Sequence, residues 1–143
     1  MTIKGSCLCQ SVKYELSDAE FYPVTNCHCP NCRKVSGVAY GTYLAVKQAK
    51  FRWLMGEDLV TKYESSPETY RSFCSRCGSP LAAFDGEDIR CITLGSTDGD
   101  IGKRPESHIY VSDKAPWFEI TDNLPQHELR SPDTRPQYDP SSD

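Results

Sequence analysis

Seven of the eight cysteines fall in three short clusters: Cys7-Leu8-Cys9, Cys27-His28-Cys29-Pro30-Asn31-Cys32, and Cys74-Ser75-Arg76-Cys77-Gly78. The third has the spacing of a zinc knuckle. Two intervening residues let the backbone turn so that both sulfurs face one ion, and the following glycine tolerates positive φ. Zinc takes four ligands at tetrahedral angles, so a knuckle supplies half a site. Cys7 and Cys9 can supply the other half, although spacing alone also permits other pairings of the clusters. With that pairing, Cys27, Cys29 and Cys32 remain as a second set of three. A three-ligand set leaves the fourth position for water or substrate, which separates catalytic zinc sites from closed structural ones. Three ligands also hold the ion less tightly than four.

The remaining candidates read as ordinary residues. Cys91 lies in the apolar run Ile89-Arg90-Cys91-Ile92-Thr93-Leu94 and reads as a buried core thiol. His28, between two cysteines of the second set, is expected to point away from their sulfurs, since adjacent extended residues face opposite ways. His108 and His127 have no ligand partner at useful spacing. The cations near the motifs, Arg33, Lys34, Arg71 and Arg76, each read as solvated surface charges. The aromatic residues Tyr40, Tyr43, Trp53, Tyr110, Trp117 and Phe118 read as core.

The chain that must position these groups has 143 residues, enough for one domain but small enough for a metal cross-link to matter. A net charge of −4 argues against a nucleic-acid or membrane surface as the main partner. No segment approaches the ~18 apolar residues of a membrane helix. Met1-Thr2-Ile3-Lys4-Gly5 has no export-signal pattern, so a cytoplasmic location is expected. In that reducing compartment, metal binding explains so many thiols better than disulfides do.

The hydrophobic pattern predicts short strands. Val12, Tyr14 and Leu16 alternate with Lys13 and Glu15. Further strands are expected at 40–46, 51–55, 59–63, 70–73, 81–84, 90–94 and 108–111. Turns are expected at Gly56-Glu57-Asp58 and Asp85-Gly86-Glu87-Asp88. Residues 31–36 suit one helical turn, and 96–104 a loop or short helix. The expected architecture is therefore mainly β, built from small antiparallel sheets. Residues 126–143 are polar and proline-containing, and read as an extended or disordered tail, or one packing along the body through Leu129 and Tyr138.

Taken in order, the motifs resemble the glutathione-dependent formaldehyde-activating enzyme family, which also includes centromere protein V. The resemblance rests on Gly5-Ser6-Cys7-Leu8-Cys9 with Val12-Lys13-Tyr14, on Cys27-His28-Cys29-Pro30-Asn31-Cys32-Arg33-Lys34-Val35-Ser36-Gly37, and on Phe73-Cys74-Ser75-Arg76-Cys77-Gly78-Ser79-Pro80-Leu81. Leu94-Gly95-Ser96-Thr97-Asp98, His108-Ile109-Tyr110 and Lys114-Ala115-Pro116-Trp117 are similar to its later segments. The likeness covers roughly residues 3 to 125.

The resemblance implies a β-tent fold of small antiparallel sheets over a structural zinc, in a zinc-binding domain spanning 1–125 with the tail at 126–143. It implies structural zinc ligands Cys7, Cys9, Cys74 and Cys77, and a second site, holding zinc at least in part and able to meet a glutathione sulfur, at Cys27, Cys29 and Cys32. It implies a carbon–sulfur lyase of the S-hydroxymethylglutathione synthase type, acting on glutathione and formaldehyde or on a related thiol adduct. The alternative is a zinc-dependent binding module for a small thiol or protein partner, without turnover. Exposed β edges also allow homodimer pairing.

Overall fold

The computed structural model describes residues 1–133, and the half of the expected tail that contains Tyr138 lies outside them. Eight strands form one continuously hydrogen-bonded sheet, so the fold is mainly β, as expected. The strands are β1 (Ile3–Ser6), β2 (Lys13–Cys27), β3 (Gly41–Met55), β4 (Val60–Ser66), β5 (Thr69–Cys74), β6 (Pro80–Asp85), β7 (Asp88–Thr93) and β8 (Pro105–Ile109), with one helix, α1 (Pro30–Ser36), after β2. The pairing path is β1-β2-β3-β7-β6-β5-β4, with β8 attached to β2. Among the described residues, antiparallel pairs join the small runs of strands into one path, and β8 pairs with β2 in parallel.

Two strands are longer than the sequence pattern suggests. The runs expected at 40–46 and 51–55 are the ends of the single strand β3, which pairs with β2 from Lys13↔Met55 to Cys27↔Gly41. Register shifts between Ser17 and Val24 of β2 break the inward–outward alternation, which is why the polar middle reads as an interruption. The other edge of β2 takes β1 at its start and β8 at its end. That parallel pairing aligns Asn26 with His108 and Cys27 with Ile109.

Ile3, Tyr14, Leu16, Val24, Leu44, Val46, Leu81, Phe84 and Ile92 are buried together as the main core. The alternation of Tyr14 and Leu16 places both in it, as their period of two requires. A smaller buried cluster forms around Cys27, Cys29, Cys32, Ile109 and Tyr110. The first part of the expected tail is not detached: backbone bonds run from His127 N to His108 O (2.9 Å) and from Tyr110 N to Leu129 O (2.9 Å). These bonds give β8 a neighbour on its outer side, which polar composition does not reveal.

Candidate metal and thiol site

The turn after β1 and the turn after β5 meet. The sulfurs of Cys7, Cys9, Cys74 and Cys77 lie within 4.8 Å of one another. Cys7 Sγ is 3.6 Å from Cys9 Sγ, and Cys9 Sγ is 3.9 Å from Cys74 Sγ. Sulfurs held ~2.3 Å from a tetrahedral centre stand about 3.8 Å apart, so the spacing fits a zinc-sized ion. The backbone prepares this geometry. Gly78 adopts φ +81°, and its N–H donates to Cys74 O at 2.7 Å, closing the knuckle. Gln10 takes φ +67° in the other turn, where Val12 N donates to Cys7 Sγ at 3.3 Å.

Ser79 ties the two turns together. Its hydroxyl accepts from Leu8 N at 2.9 Å and lies 3.3 Å from Cys77 Sγ. That hydroxyl, then the backbone N–H groups of Cys9 and Ser79, pull the Cys77 thiol down to about 5. Cys9 is lowered too, chiefly by the Ser11 side chain and backbone, while burial raises Cys74. A set with donors already aimed at its thiolates suits a cation.

The second cluster forms where β2 gives way to α1. Cys27 ends the strand, and Cys29 caps the helix, its sulfur accepting from Cys32 N at 3.3 Å. Pro30 occupies the first turn, where a missing N–H costs nothing, and Gly37 ends the helix at φ +74°. One helical turn thus folds three thiols onto each other, all buried, with sulfurs within 4.8 Å. As thiols they resist ionisation. Cys27 is raised well above its usual range by hydrogen bonds from Cys29 and Cys32 and then by burial. For Cys32 the largest influence, the Cys27 hydrogen bond, is downward. The Cys29 hydrogen bond and burial outweigh it and place the thiol at about 11. A cation would relieve this crowding of sulfurs, so this donor set also fits a metal.

Cys27 and Cys32 open onto a cleft enclosing about 640 Å³ of empty space, part of it open to solvent. Tyr43, Arg71, Arg90, Cys91 and Tyr110 are among its walls. Cys91 is therefore not a core thiol: it is half-buried and faces this cleft, outside both sulfur clusters. Tyr43 and Tyr110 line the cleft as well, and Tyr110 holds a left-handed backbone at φ +56° while buried. Arg71 is not a surface charge, since it reaches Tyr43 Oη at 3.4 Å and Cys32 Sγ at 3.9 Å. Of the other motif cations, Arg33 Nε donates to His28 O at 3.3 Å and Arg76 Nη1 to Ser11 Oγ at 3.1 Å.

His28 points away from the three sulfurs, as the alternation of extended residues implies, and is fully buried. Its Nε2 meets His108 Nδ1 at 2.9 Å, and His108 Nε2 meets Asp122 Oδ2 at 3.0 Å. His108 is thus a structural partner of the cysteine loop, which its spacing in the sequence does not signal. Tyr40 packs on the His28 ring at 4.9 Å between centroids. Among the described residues, no helix is long and apolar enough to cross a membrane.

Residues 2–113 match the family model described as glutathione-dependent formaldehyde-activating enzyme. A Halomonas elongata protein, provisionally named a glutathione-dependent formaldehyde-activating enzyme, is 28% identical over 128 residues, covering 84% of this chain and 82% of that one. A crystal structure of a Rhodobacter sphaeroides protein superimposes with a TM-score of 0.51 at 19% identity, over 71% of this chain and 97% of the other. That likeness concerns the fold alone.

Proposed function

The chain belongs to the glutathione-dependent formaldehyde-activating enzyme family, and from that premise we propose that it is a zinc-dependent carbon–sulfur lyase-type enzyme acting on glutathione or a related thiol adduct. The observation that carries this reading is the set of three buried sulfurs, two of which open onto a cleft. In this reading Cys7, Cys9, Cys74 and Cys77 hold a structural zinc, and Cys27, Cys29 and Cys32 hold a second zinc more weakly. Bound there, zinc would lower the pKa of a thiol reaching its open position.

The reaction joins the substrate sulfur to the aldehyde carbon, and the thiol proton passes to the carbonyl oxygen. Cys27 and Cys32 mark where the sulfur enters, and Tyr43 and Tyr110 flank that point. Holding thiol and aldehyde together in the cleft supplies orientation. A binding module without turnover is favoured by one feature. Three thiolates leave a divalent ion with one net negative charge, which weakens its pull on a fourth ligand.

Rates of hemithioacetal formation separate the two. Zinc-loaded protein should exceed the uncatalysed rate with glutathione and formaldehyde, and Cys32→Ser should abolish the gain with the fold intact. Glutathione binding with no rate gain across several aldehydes would establish the binding module instead.

A further inference from the structure

Arg71 projects from β5 into the cleft and is held along its length. Its Nε donates to Ser65 Oγ at 3.1 Å and its Nη1 to Tyr43 Oη at 3.4 Å. These contacts aim Nη2 at Cys32 Sγ, 3.9 Å away. Among the described residues, the cleft is lined by Arg71, Arg90 and Arg130 and by no carboxylate. Arg90 is engaged by Asp85, with Nη1 at 2.8 Å from Oδ1 and 2.9 Å from Oδ2. Arg71 Nη2 is directed at the sulfur cluster.

Resting on the reading of this cleft as a thiol site, we propose that Arg71 is its specificity-determining cation, favouring a thiol that carries a carboxylate over a neutral thiol of the same size. The charge count gives the reason. A metal held by three cysteine thiolates has one net negative charge, and a substrate thiolate makes it two. A buried site of that charge needs a cation nearby. Arg71 offsets it where the substrate sulfur arrives, and its planar fork can take a carboxylate a few bonds from that sulfur.

Calorimetric titration of the zinc-loaded protein with 3-mercaptopropionate and its neutral analogue 3-mercaptopropionamide tests this. Wild type should bind the carboxylate about tenfold or more tightly. That preference should shrink as salt is raised. R71M should bind both ligands alike with its zinc content unchanged, and R71K should retain part of the preference. Equal affinities in wild type, or an undiminished preference in R71M, would overturn the proposal while leaving the thiol site standing. No binding of either thiol to wild type would overturn both. Should R71M not fold, wild type and R71K decide: a preference insensitive to salt and to R71K counts against Arg71.

Discussion

His28 Nε2 and His108 Nδ1 stand 2.9 Å apart, although 80 positions separate the two residues in the chain. The Asp122 carboxylate accepts from His108 Nε2–H at 3.0 Å, and His28 Nδ1 has no partner to take a proton among the described residues, so His108 Nδ1 is the acceptor of the pair. His28 must then carry its proton on Nε2. Its Nδ1 is a bare lone pair, buried and without a hydrogen-bond partner among the described residues. The chain of bonds fixes the ring between Cys27 and Cys29, and so fixes the loop that turns their sulfurs inward.

Ring-nitrogen NMR at neutral pH should therefore find both histidines as Nε2–H tautomers, with His28 Nδ1 unprotonated. His108→Ala leaves the buried His28 donor unsatisfied and should destabilise the protein by about 1–3 kcal/mol. A protonated His28 Nδ1 would contradict the assignment.

The closed tetrad clamps turns far apart in sequence, since Cys9 meets Cys74 across 65 positions. The three-cysteine set spans one helical turn and clamps nothing distant. Cys74→Ser should thus cost cooperative folding, whereas Cys29→Ser should keep the β circular dichroism spectrum and lose one metal equivalent. Metal analysis of wild type should give two zincs per chain, with a chelator stripping the second site first. Equal effects of the two substitutions on folding would contradict the division into closed and open sites.

Gly5 faces Tyr14 across β1 and β2. A Cβ on Gly5 would fall well inside van der Waals contact of Tyr14 Cζ and Oη, and that ring is fully buried. Gly5→Ala should cost about 1–3 kcal/mol through overpacking. Gly86→Ala is the control: nothing lies within 4 Å of its Cβ position, but φ is +58°, so backbone strain alone applies. Urea unfolding of both variants measures the two costs separately.

Legibility in the sequence followed the range of the interactions. The three sulfur clusters could be read because spacing within a turn is local, and the structure brings the sulfurs of each set within 4.8 Å of one another. Short alternating strands such as that through Tyr14 and Leu16 were legible for the same reason. The unity of β3 was not, because its middle follows the bulged, polar part of β2 rather than a simple alternation. The parallel β2–β8 pairing that joins His28 to His108 leaves no periodic trace. Arg71 and Cys91 were misread because a strand residue facing an internal cleft has the composition of either a surface or a core position. Ser79, which braces the two turns that carry Cys9 and Cys77, looks like any turn serine until Leu8 is placed beside it.

Tyr14 gives the alkaline limb of stability a specific origin. Its ring is buried beside Phe51 and Trp53, with its hydroxyl 2.7 Å from Ser96 Oγ. Burial pushes its ionisation up to about 12, against a partial downward pull from the Ser96 hydrogen bond. In the unfolded chain the phenol ionises near its ordinary ~10. Between about pH 10 and about pH 12 the unfolded state therefore holds fewer protons than the folded state, and stability falls as pH rises. Below that window both states are protonated and the contribution is constant. The loss should reach about 2–3 kcal/mol by the top of the window. Denaturant titrations of metal-loaded wild type and Tyr14→Phe, repeated from neutral pH upward, isolate this share, because every other alkaline group is common to both. The stability of Tyr14→Phe relative to wild type should rise between pH 8 and pH 11.5, the expected sign when only wild type loses stability through the phenol. Parallel curves across the window would mean that Tyr14 ionises as easily folded as unfolded.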